Sequence, residues 1–346
     1  MVKITKLNDK NIIILGIESS CDDTSASILI NGAIKSNIVA NQEVHQKFGG
    51  VVPELASRAH QQNIIPVVEA AIEAADIDKK DISAVAFTRG PGLLGSLIVG
   101  TSFSKSLALA LDIPLVEVNH MHGHILAHFI KNEAERYPKF PFICMTVSGG
   151  HTQLVIVKDY FDMEVIGQTI DDAAGEAFDK AAKIMGIPYP GGPLIDKYAK
   201  DGDPKKFKFP VSNLKDYNYS FSGLKTSILY FLQKEMAKDS NFINDNRADI
   251  CASYQATIIK SLFKKLVKAT RDLNIKDVAI AGGVSANSLL RSELKRIGIQ
   301  ENWNTFIPPF EYTTDNAGMI AISGHYKFLN REFVGQDVTP NARLKI

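Results

Sequence analysis

Secondary-structure signals in this 346-residue chain run through the same order of elements twice. NIIILGIE (11–18) reads as a buried strand, and TSASILI, after the turn SSCDD, as a second. Asn31-Gly32 is a two-residue hairpin signal leading into AIKSNIV. A helix is expected from about Pro53 to Ala75, then strand AVAFT (84–88), the glycine loop RGPGLLGS and a helix to about Leu111. Strand PLVEV (114–118) then delivers the chain into a helix that starts near His120. The order restarts with strand FICMTV (142–147), the turn SGGH, strand TQLVIV (152–157), a third strand MEVIGQ and a helix over 171–186. A mostly helical stretch, about 194–273, reads as an insertion. Strand VAIAGG (278–283), a helix with Asn287 and Arg291, strand TFIPP (305–309) and a helix over 313–328 that Asp315 helps to open complete the second round. The halves share pattern and not letters. Strands alternating with helices imply mixed sheets covered on both faces. The expectation is two α/β domains, 11–132 and 140–330, the second carrying the helical insertion. Two such domains side by side would make a cleft, with ligands at the carboxyl ends of strands.

Composition narrows the class. Hydrophobic residues are 45% and charged residues 22%, ordinary for a globular enzyme, and the formal net charge of +1 provides no global basic field. A nucleic-acid substrate would then need a local patch or a partner protein to hold its phosphates. The best local candidates are Lys205, Lys206, Lys208 and Lys225 in the inserted region. Cys21, Cys144 and Cys251 are far apart with no C-x-x-C spacing, which argues against a disulfide framework or a thiolate zinc site and for a reducing compartment. The apolar run after MVKITKLNDK is short and broken by Glu18, so neither a signal peptide nor a membrane span is expected, and the localisation read from this is cytoplasmic.

The segment HMHGH (120–124) carries the most chemistry. His120 and His124 are four apart at a helix start, on one helical face with Cβ atoms about 5–6 Å apart. Two imidazoles on one turn can grip a metal and leave other positions for carboxylate, water or substrate. Zinc proteases place Glu directly after the first His as general base, and here that position is Met121. His120 and His124 follow the last strand of the first half, and Asp315 follows the last strand of the second. If the halves face each other, the three would converge from symmetric positions, a two-His, one-Asp set suited to iron or zinc. The alternative is two ordinary histidines and an Asp that caps a helix.

Five turns lie at strand ends: SSCDDT (19–24), RGPGLLGS (89–96), SGGHT (148–152), PGGP (190–193) and GGVSAN (282–287). Glycine lets backbone N–H groups approach a ligand's oxygens, although turns need glycine anyway. Across two matched halves the set points to a nucleotide-like ligand; Asp172, Glu176 and Asp179 in DDAAGEAFD recur at helical spacing, as a solvated helix face does, and in a cleft Asp179 would instead bond ribose or amide groups. No G-x-x-x-x-G-K-[ST] and no G-x-S-x-G is present, which removes P-loop ATPases and serine hydrolases of the nucleophile-elbow type.

GIESSCDDTSASI, GGVVPELASRAH, TRGPGLLGSL, NHMHGH, VSGGHTQL, DDAAGEAFDK, YPGGP, FSGLKT, AGGVSANSLLR and TDNAGMIA occur in order from about residue 13 to 325. With these motifs the chain resembles the TsaD family, bacterial tRNA N6-adenosine threonylcarbamoyltransferases formerly described as glycoprotein endopeptidases. The resemblance implies an α/β fold of two actin-like (ribonuclease-H-like) domains of the actin and sugar-kinase superfamily. It implies transfer of a threonylcarbamoyl group from threonylcarbamoyl-AMP to the exocyclic amine of adenosine at tRNA position 37. It implies one iron(II) ion per subunit, or zinc, on His120, His124 and Asp315. Thr146, Val147, Ser148, Gly149, Gly150, Asp179, Gly192, Asp196 and Asn287 would line the adenylate site, and Asp22 and Asp23 would sit near the reacting group. Many relatives have Glu where Asp23 and His122 stand. Implied partners are tRNA, a TsaB-like paralogue and a TsaE-like ATPase, with no membrane. The long helix after Pro53, with Ala70, Ala71 and Ala74, is a candidate docking element whose other reading is packing on its own sheet. A metalloprotease and a non-catalytic ATP-binding regulator are the competing readings.

Overall fold

The computed structural model describes residues 11–346 apart from 42–44, 46–47, 135 and 213. The chain divides into two compact units, one comprising residues up to Tyr137 together with Thr314–Ile346, the other Pro138–Thr313.

The first unit is built on a five-stranded mixed sheet of order β3-β2-β1-β4-β5, from β1 (Ile13–Glu18), β2 (Thr24–Ile30), β3 (Ala33–Ala40), β4 (Ala84–Gly90) and β5 (Leu115–Asn119). β1 and β2 pair antiparallel and β1 and β4 parallel. Asn31 and Gly32 both have positive φ, as the two-residue turn joining β2 to β3 requires. Every residue of β1 is buried, because the sheet is covered on both faces. The helices here are α1 (Pro53–Ala74), α2 (Leu94–Leu111) and α3 (His120–Leu126). α1 turns Ala56, His60, Ile64, Val67, Val68 and Ala71 inward at helical spacing. Among the described residues α2 alone is long and apolar enough to cross a membrane, and it packs against α1 and β4.

The second unit repeats the topology in β6 (Phe142–Val147), β7 (Thr152–Val157), β8 (Met163–Gln168), β9 (Asp277–Ala281) and β10 (Asn304–Phe306), in the order β10-β9-β6-β7-β8. Its helices are α4 (Ala174–Ile184), α5 (Gly191–Ala199), α6 (Ser222–Met236), α7 (Phe242–Leu273) and α8 (Ser288–Glu301). α5, α6 and α7 occupy the region expected to be a helical insertion.

The boundary at 330 differs from the expectation. The last helix, α9 (Ala317–Leu329), packs on β1, β2 and β4 of the first sheet. The reason is steric. A Cβ on Gly16 of β1 would lie 2.4 Å from the Ala317 carbonyl oxygen, and one on Gly324 would lie 2.3 Å from Ala86 Cβ. Glycine at both places lets helix and sheet come within backbone contact. The chain therefore returns to its first unit at Thr314.

Candidate metal centre and adenylate turns

β5 ends at Asn119, whose side-chain oxygen accepts the Met121 backbone N–H at 2.9 Å and starts α3 at His120. The His120 and His124 rings lie 4.7 Å apart between centroids, edge to face at 87°. Asp315 reaches them from the turn before α9: its Oδ1 is 3.5 Å from His120 Nε2 and 3.2 Å from His124 Nε2. One ligand atom from each residue falls within 4.8 Å of the other two. All three belong to the first unit, so the set does not draw one ligand from each half as the symmetry argument expects. Nor does Asp315 open the helix: Asn316 is the N-cap, accepting the Met319 N–H at 3.1 Å. That leaves the Asp315 carboxylate for the histidines.

Glu18, which no motif in the sequence marks as part of the site, lies directly behind His120. Glu18 is wholly buried, and its Oε2 lies 3.0 Å from His120 Nδ1 and accepts the Thr88 hydroxyl at 2.7 Å. Its other oxygen accepts the Ser20 N–H, and the Ser20 hydroxyl is 3.1 Å from the same His120 nitrogen. With Nδ1–H donated to the carboxylate, Nε2 is the lone-pair nitrogen facing Asp315, the arrangement that orients metal-ligating histidines. The only signal in the sequence was a charged residue at the end of an otherwise apolar strand.

The donor chemistry fits a divalent transition metal. His124 Nδ1 and Nε2 are buried and make no hydrogen bond, and the 3.2 Å approach of Nε2 to Asp315 lacks hydrogen-bond alignment. Burial opposes ionisation of Asp315, but the His120 and His124 rings outweigh it and hold the carboxyl far below the usual range. Burial likewise opposes a charge on Glu18, and His120 again reverses the sign, so the carboxyl stays ionised. Burial alone would depress the His120 imidazole, yet Asp315 and then Glu18 lift it well above its ordinary value. Two carboxylates around one imidazole attract a cation, and a proton and a metal ion compete for the same nitrogen.

Asp22 and Asp23 occupy the turn between β1 and β2 in the same unit, both half-buried. Burial, then Asp22, Asp315 and Glu18 in that order, push the Asp23 carboxyl up to about 7. Such a group can accept a proton near neutral pH.

The second unit holds the other expected residues. Thr146 and Val147 end β6, fully buried, and the Thr146 hydroxyl makes no hydrogen bond. Gly149 and Gly150 follow in an exposed turn, and a Cβ at either would meet nothing within 4 Å. Packing does not demand glycine there. Asp179 Oδ1 accepts the N–H groups of Gly191 at 2.8 Å and Gly192 at 3.2 Å, which holds the PGGP turn against α4. Asp196 binds Ser288 through both oxygens, to its hydroxyl at 2.7 Å and its N–H at 3.1 Å. Asn287 caps α8 at Leu290 N, 3.0 Å, and donates to Gln255 Oε1 at 2.8 Å. Asp179, Asp196 and Asn287 thus position turns with the atoms that the sequence reading assigned to ligand. The RGPGLLGS glycines also serve the fold: a Cβ on Gly90 would lie 1.9 Å from the Asn341 carbonyl oxygen, and one on Gly92 2.4 Å from that of Ser20.

The profile of the TsaD family, described as tRNA N6-adenosine threonylcarbamoyltransferase, matches residues 33–322. The chain belongs to this family. A tRNA N6-adenosine threonylcarbamoyltransferase of Christiangramia forsetii is 62% identical over 339 residues, 98% of this chain and 100% of that one. The enzyme of the same name from Riemerella anatipestifer is 59% identical over 97% of this chain and 99% of its own. Membership of the TsaD family makes the chain a tRNA-modifying acyltransferase. Among solved structures, HypF from T. kodakarensis superposes with a TM-score of 0.60 at 14% identity, covering 95% of this chain and 49% of HypF. Full-length HypF in a phosphate- and nucleotide-bound form gives 0.59 at 14% identity, covering 93% of this chain and 47% of that one. At that identity the likeness concerns the fold alone, two actin-like α/β units.

Proposed function

We propose that the chain carries out the family's transfer with threonylcarbamoyl-AMP as donor and the N6 amine of adenosine at tRNA position 37 as acceptor, assisted by one iron(II) or zinc ion. The observation that carries the metal-assisted reading is the convergence of His120, His124 and Asp315, with Glu18 locking the His120 tautomer. When bound, such an ion supplies Lewis-acid polarisation of a carbonyl. The donor is a mixed carbamic–phosphoric anhydride and is already activated, so no covalent nucleophile is needed. The N6 nitrogen attacks the carbamoyl carbon. The bond from that carbon to the phosphate oxygen breaks, AMP leaves with the electron pair, and Asp23 or Asp22 takes the amine proton. In the second unit the open SGG turn offers backbone N–H groups to the adenylate, and the unpartnered Thr146 hydroxyl and Gly192 belong to the same expected set.

Partners follow from charge. Lys205, Lys208 and Lys225 are exposed, but Lys206 is engaged by Asp249 at 2.7 Å and Asn246 at 2.8 Å, so the local patch is small. A small patch favours help from partner proteins, and the family resemblance supplies their identities for this reading, a TsaB-like paralogue and a TsaE-like ATPase; the compartment proposed is the cytoplasm. Of the three alanines proposed for docking, Ala71 faces the sheet, Ala70 is half-buried and Ala74 is exposed, and Ile65 on α1 with Leu94, Ile98 and Leu109 on α2 are exposed as well. The protease reading gains nothing, since Met121 is buried where the base would stand.

The test is incubation with threonylcarbamoyl-AMP and unmodified tRNA, with and without the two partners, followed by nucleoside mass spectrometry. His124→Ala should lose both metal and transfer while staying folded. Full metal occupancy in that variant would sink the metal assignment, and full turnover by the isolated chain would remove the partner requirement.

A further inference from the structure

The motif GGVVPELASRAH ends in His60, which neither the metal set nor the adenylate turns use. His60 lies on the inward face of α1 and is wholly buried. Its Nε2 is 3.0 Å from the Cys21 carbonyl oxygen, and its Nδ1 is 2.7 Å from the Thr24 hydroxyl. These two partners bracket Asp22 and Asp23, one residue before the pair and one after it. A carbonyl only accepts, so Nε2 carries the hydrogen, and Nδ1 of the neutral ring accepts the Thr24 O–H. Burial, the largest influence on this ring, lowers its pKa and favours the neutral form.

The start of α2 grips the same turn from another side. The Ser96 hydroxyl donates to the Cys21 carbonyl at 3.0 Å, and the Leu93 N–H donates to the Ser20 carbonyl at 2.7 Å. The Cys21 carbonyl thus takes one hydrogen bond from α1 and one from α2. Between this anchor and Thr24 lie the two acidic residues, of which Asp22 hydrogen-bonds the Cys21 side chain at the anchored end itself. Their placement depends on the ends of the turn.

We infer that His60 is a positioning residue for the transfer reaction, a single imidazole stapled across the base of the Asp22–Asp23 turn that holds both carboxylates in register with the metal ligands of the same unit. This rests on the proposed role of the carboxylates. A buried histidine that merely fills the α1–sheet interface would predict a stability effect and nothing specific to transfer. A staple predicts a loss in the transfer step with metal and adenylate binding retained.

The experiment uses the full chain with its partners, threonylcarbamoyl-AMP and unmodified tRNA in single-turnover mode. His60→Ala should lower the saturated transfer rate about 10–100-fold, the scale of a catalytic group displaced by an ångström or so, with KM for the donor and metal content unchanged. His60→Gln, whose amide can donate to the Cys21 carbonyl and accept from Thr24, should recover much of the rate. Thr24→Val, which removes one anchor and keeps the ring, should cost about two- to tenfold. Asp22→Asn and Asp23→Asn are measured beside them, and His60→Ala is combined with whichever of the two lowers the rate. The combined variant should be little slower than the Asp variant alone, because residues acting through one group are not additive. A wild-type rate in His60→Ala, or in Thr24→Val should the alanine variant fail to fold, overturns the staple. So does a full multiplicative loss in the combined variant. If both Asp→Asn variants transfer at the wild-type rate, the carboxylate reading itself has failed, whatever His60→Ala does.

Discussion

Glu18→Gln is the substitution that most directly probes how the metal centre is held. Every group around the Glu18 carboxylate donates: the Ser20 N–H to one oxygen, and the Thr88 hydroxyl and His120 Nδ1 to the other. Glutamine has nearly the same shape but must place an NH2 at one of these two sites. Against Ser20 it sets donor against donor. Against His120 it forces Nδ1 to become the acceptor, which moves the ring hydrogen to Nε2, the nitrogen 3.5 Å from Asp315 that should carry the lone pair. The lost charge acts in the same direction, since Glu18 is fully buried and its field is poorly screened. Loss of such a supporting group typically costs 10–100-fold in metal affinity, about 1.4–2.8 kcal/mol. Competition with a chromophoric chelator, for zinc or anaerobically for iron(II), reads this directly. Metal-dependent thermal stabilisation should fall in parallel, because an ion that binds only the folded state stabilises through mass action. Thr88→Val, which deletes one neutral donor and keeps the carboxylate, should lose less than about fivefold. Wild-type metal affinity in Glu18→Gln would refute the reasoning and return His120 to the status of an ordinary buried histidine.

Gly150→Val should leave the melting temperature without ligand unchanged, since its Cβ meets nothing within 4 Å, yet abolish the thermal shift produced by AMP; an intact shift would place the nucleotide elsewhere. Gly90→Ala should cost at least about 2 kcal/mol in urea unfolding, because its Cβ would overlap the Asn341 carbonyl at 1.9 Å and its φ is +154°; a loss under about 0.5 kcal/mol would show that residues near 341 move aside freely. His325 sits 8% exposed with its Nδ1 lacking any hydrogen bond, and burial, then Lys131, lower its pKa from 6.5 to about 4. Its folded pKa is depressed, so its contribution is fully present above pH 6.5 and is lost as the pH falls toward 4, by about 2 kcal/mol between pH 7 and pH 5. His325→Phe should flatten that part of the acid limb of the unfolding free energy, and an unchanged limb would show the imidazole to be solvated.

What the sequence made legible was whatever local chemistry decides. The doubled element order follows from hydrophobic period and turn residues, and the Asn31-Gly32 turn, the span of α1 and the helical insertion all appear where those signals put them. The pairing of His120 with His124 follows from helical spacing alone. The partner carboxylate is another matter: place after a strand and the family resemblance both point to Asp315, but it belongs to the same unit as the histidines and not to the other half. α9 returns to the first sheet because Gly16 and Gly324 permit backbone contact. Those two residues are 308 positions apart, and nothing local marks them as a pair.

Adjacent residues show the same limit at finer scale. Asp315 and Asn316 are both good helix-capping types, and the sequence reading gives the cap to Asp315. The structure gives it to Asn316, whose side chain reaches Met319 N, and this choice turns the Asp315 carboxylate toward α3. A cap one residue earlier would spend that carboxylate on the helix end and take it away from His124, which is 1% exposed and without a hydrogen bond. The same division recurs in the second unit, where Asp179, Asp196 and Asn287 are held by backbone and hydroxyl groups and the exposed SGG turn is left open. Beside these turns some buried polar atoms are left without a hydrogen-bond partner, the His124 ring nitrogens in one unit and the Thr146 hydroxyl in the other, and they have bonding capacity to offer a ligand. Bonding capacity left over in a folded chain is a property of tertiary contact, so it is readable only once every neighbour is in place.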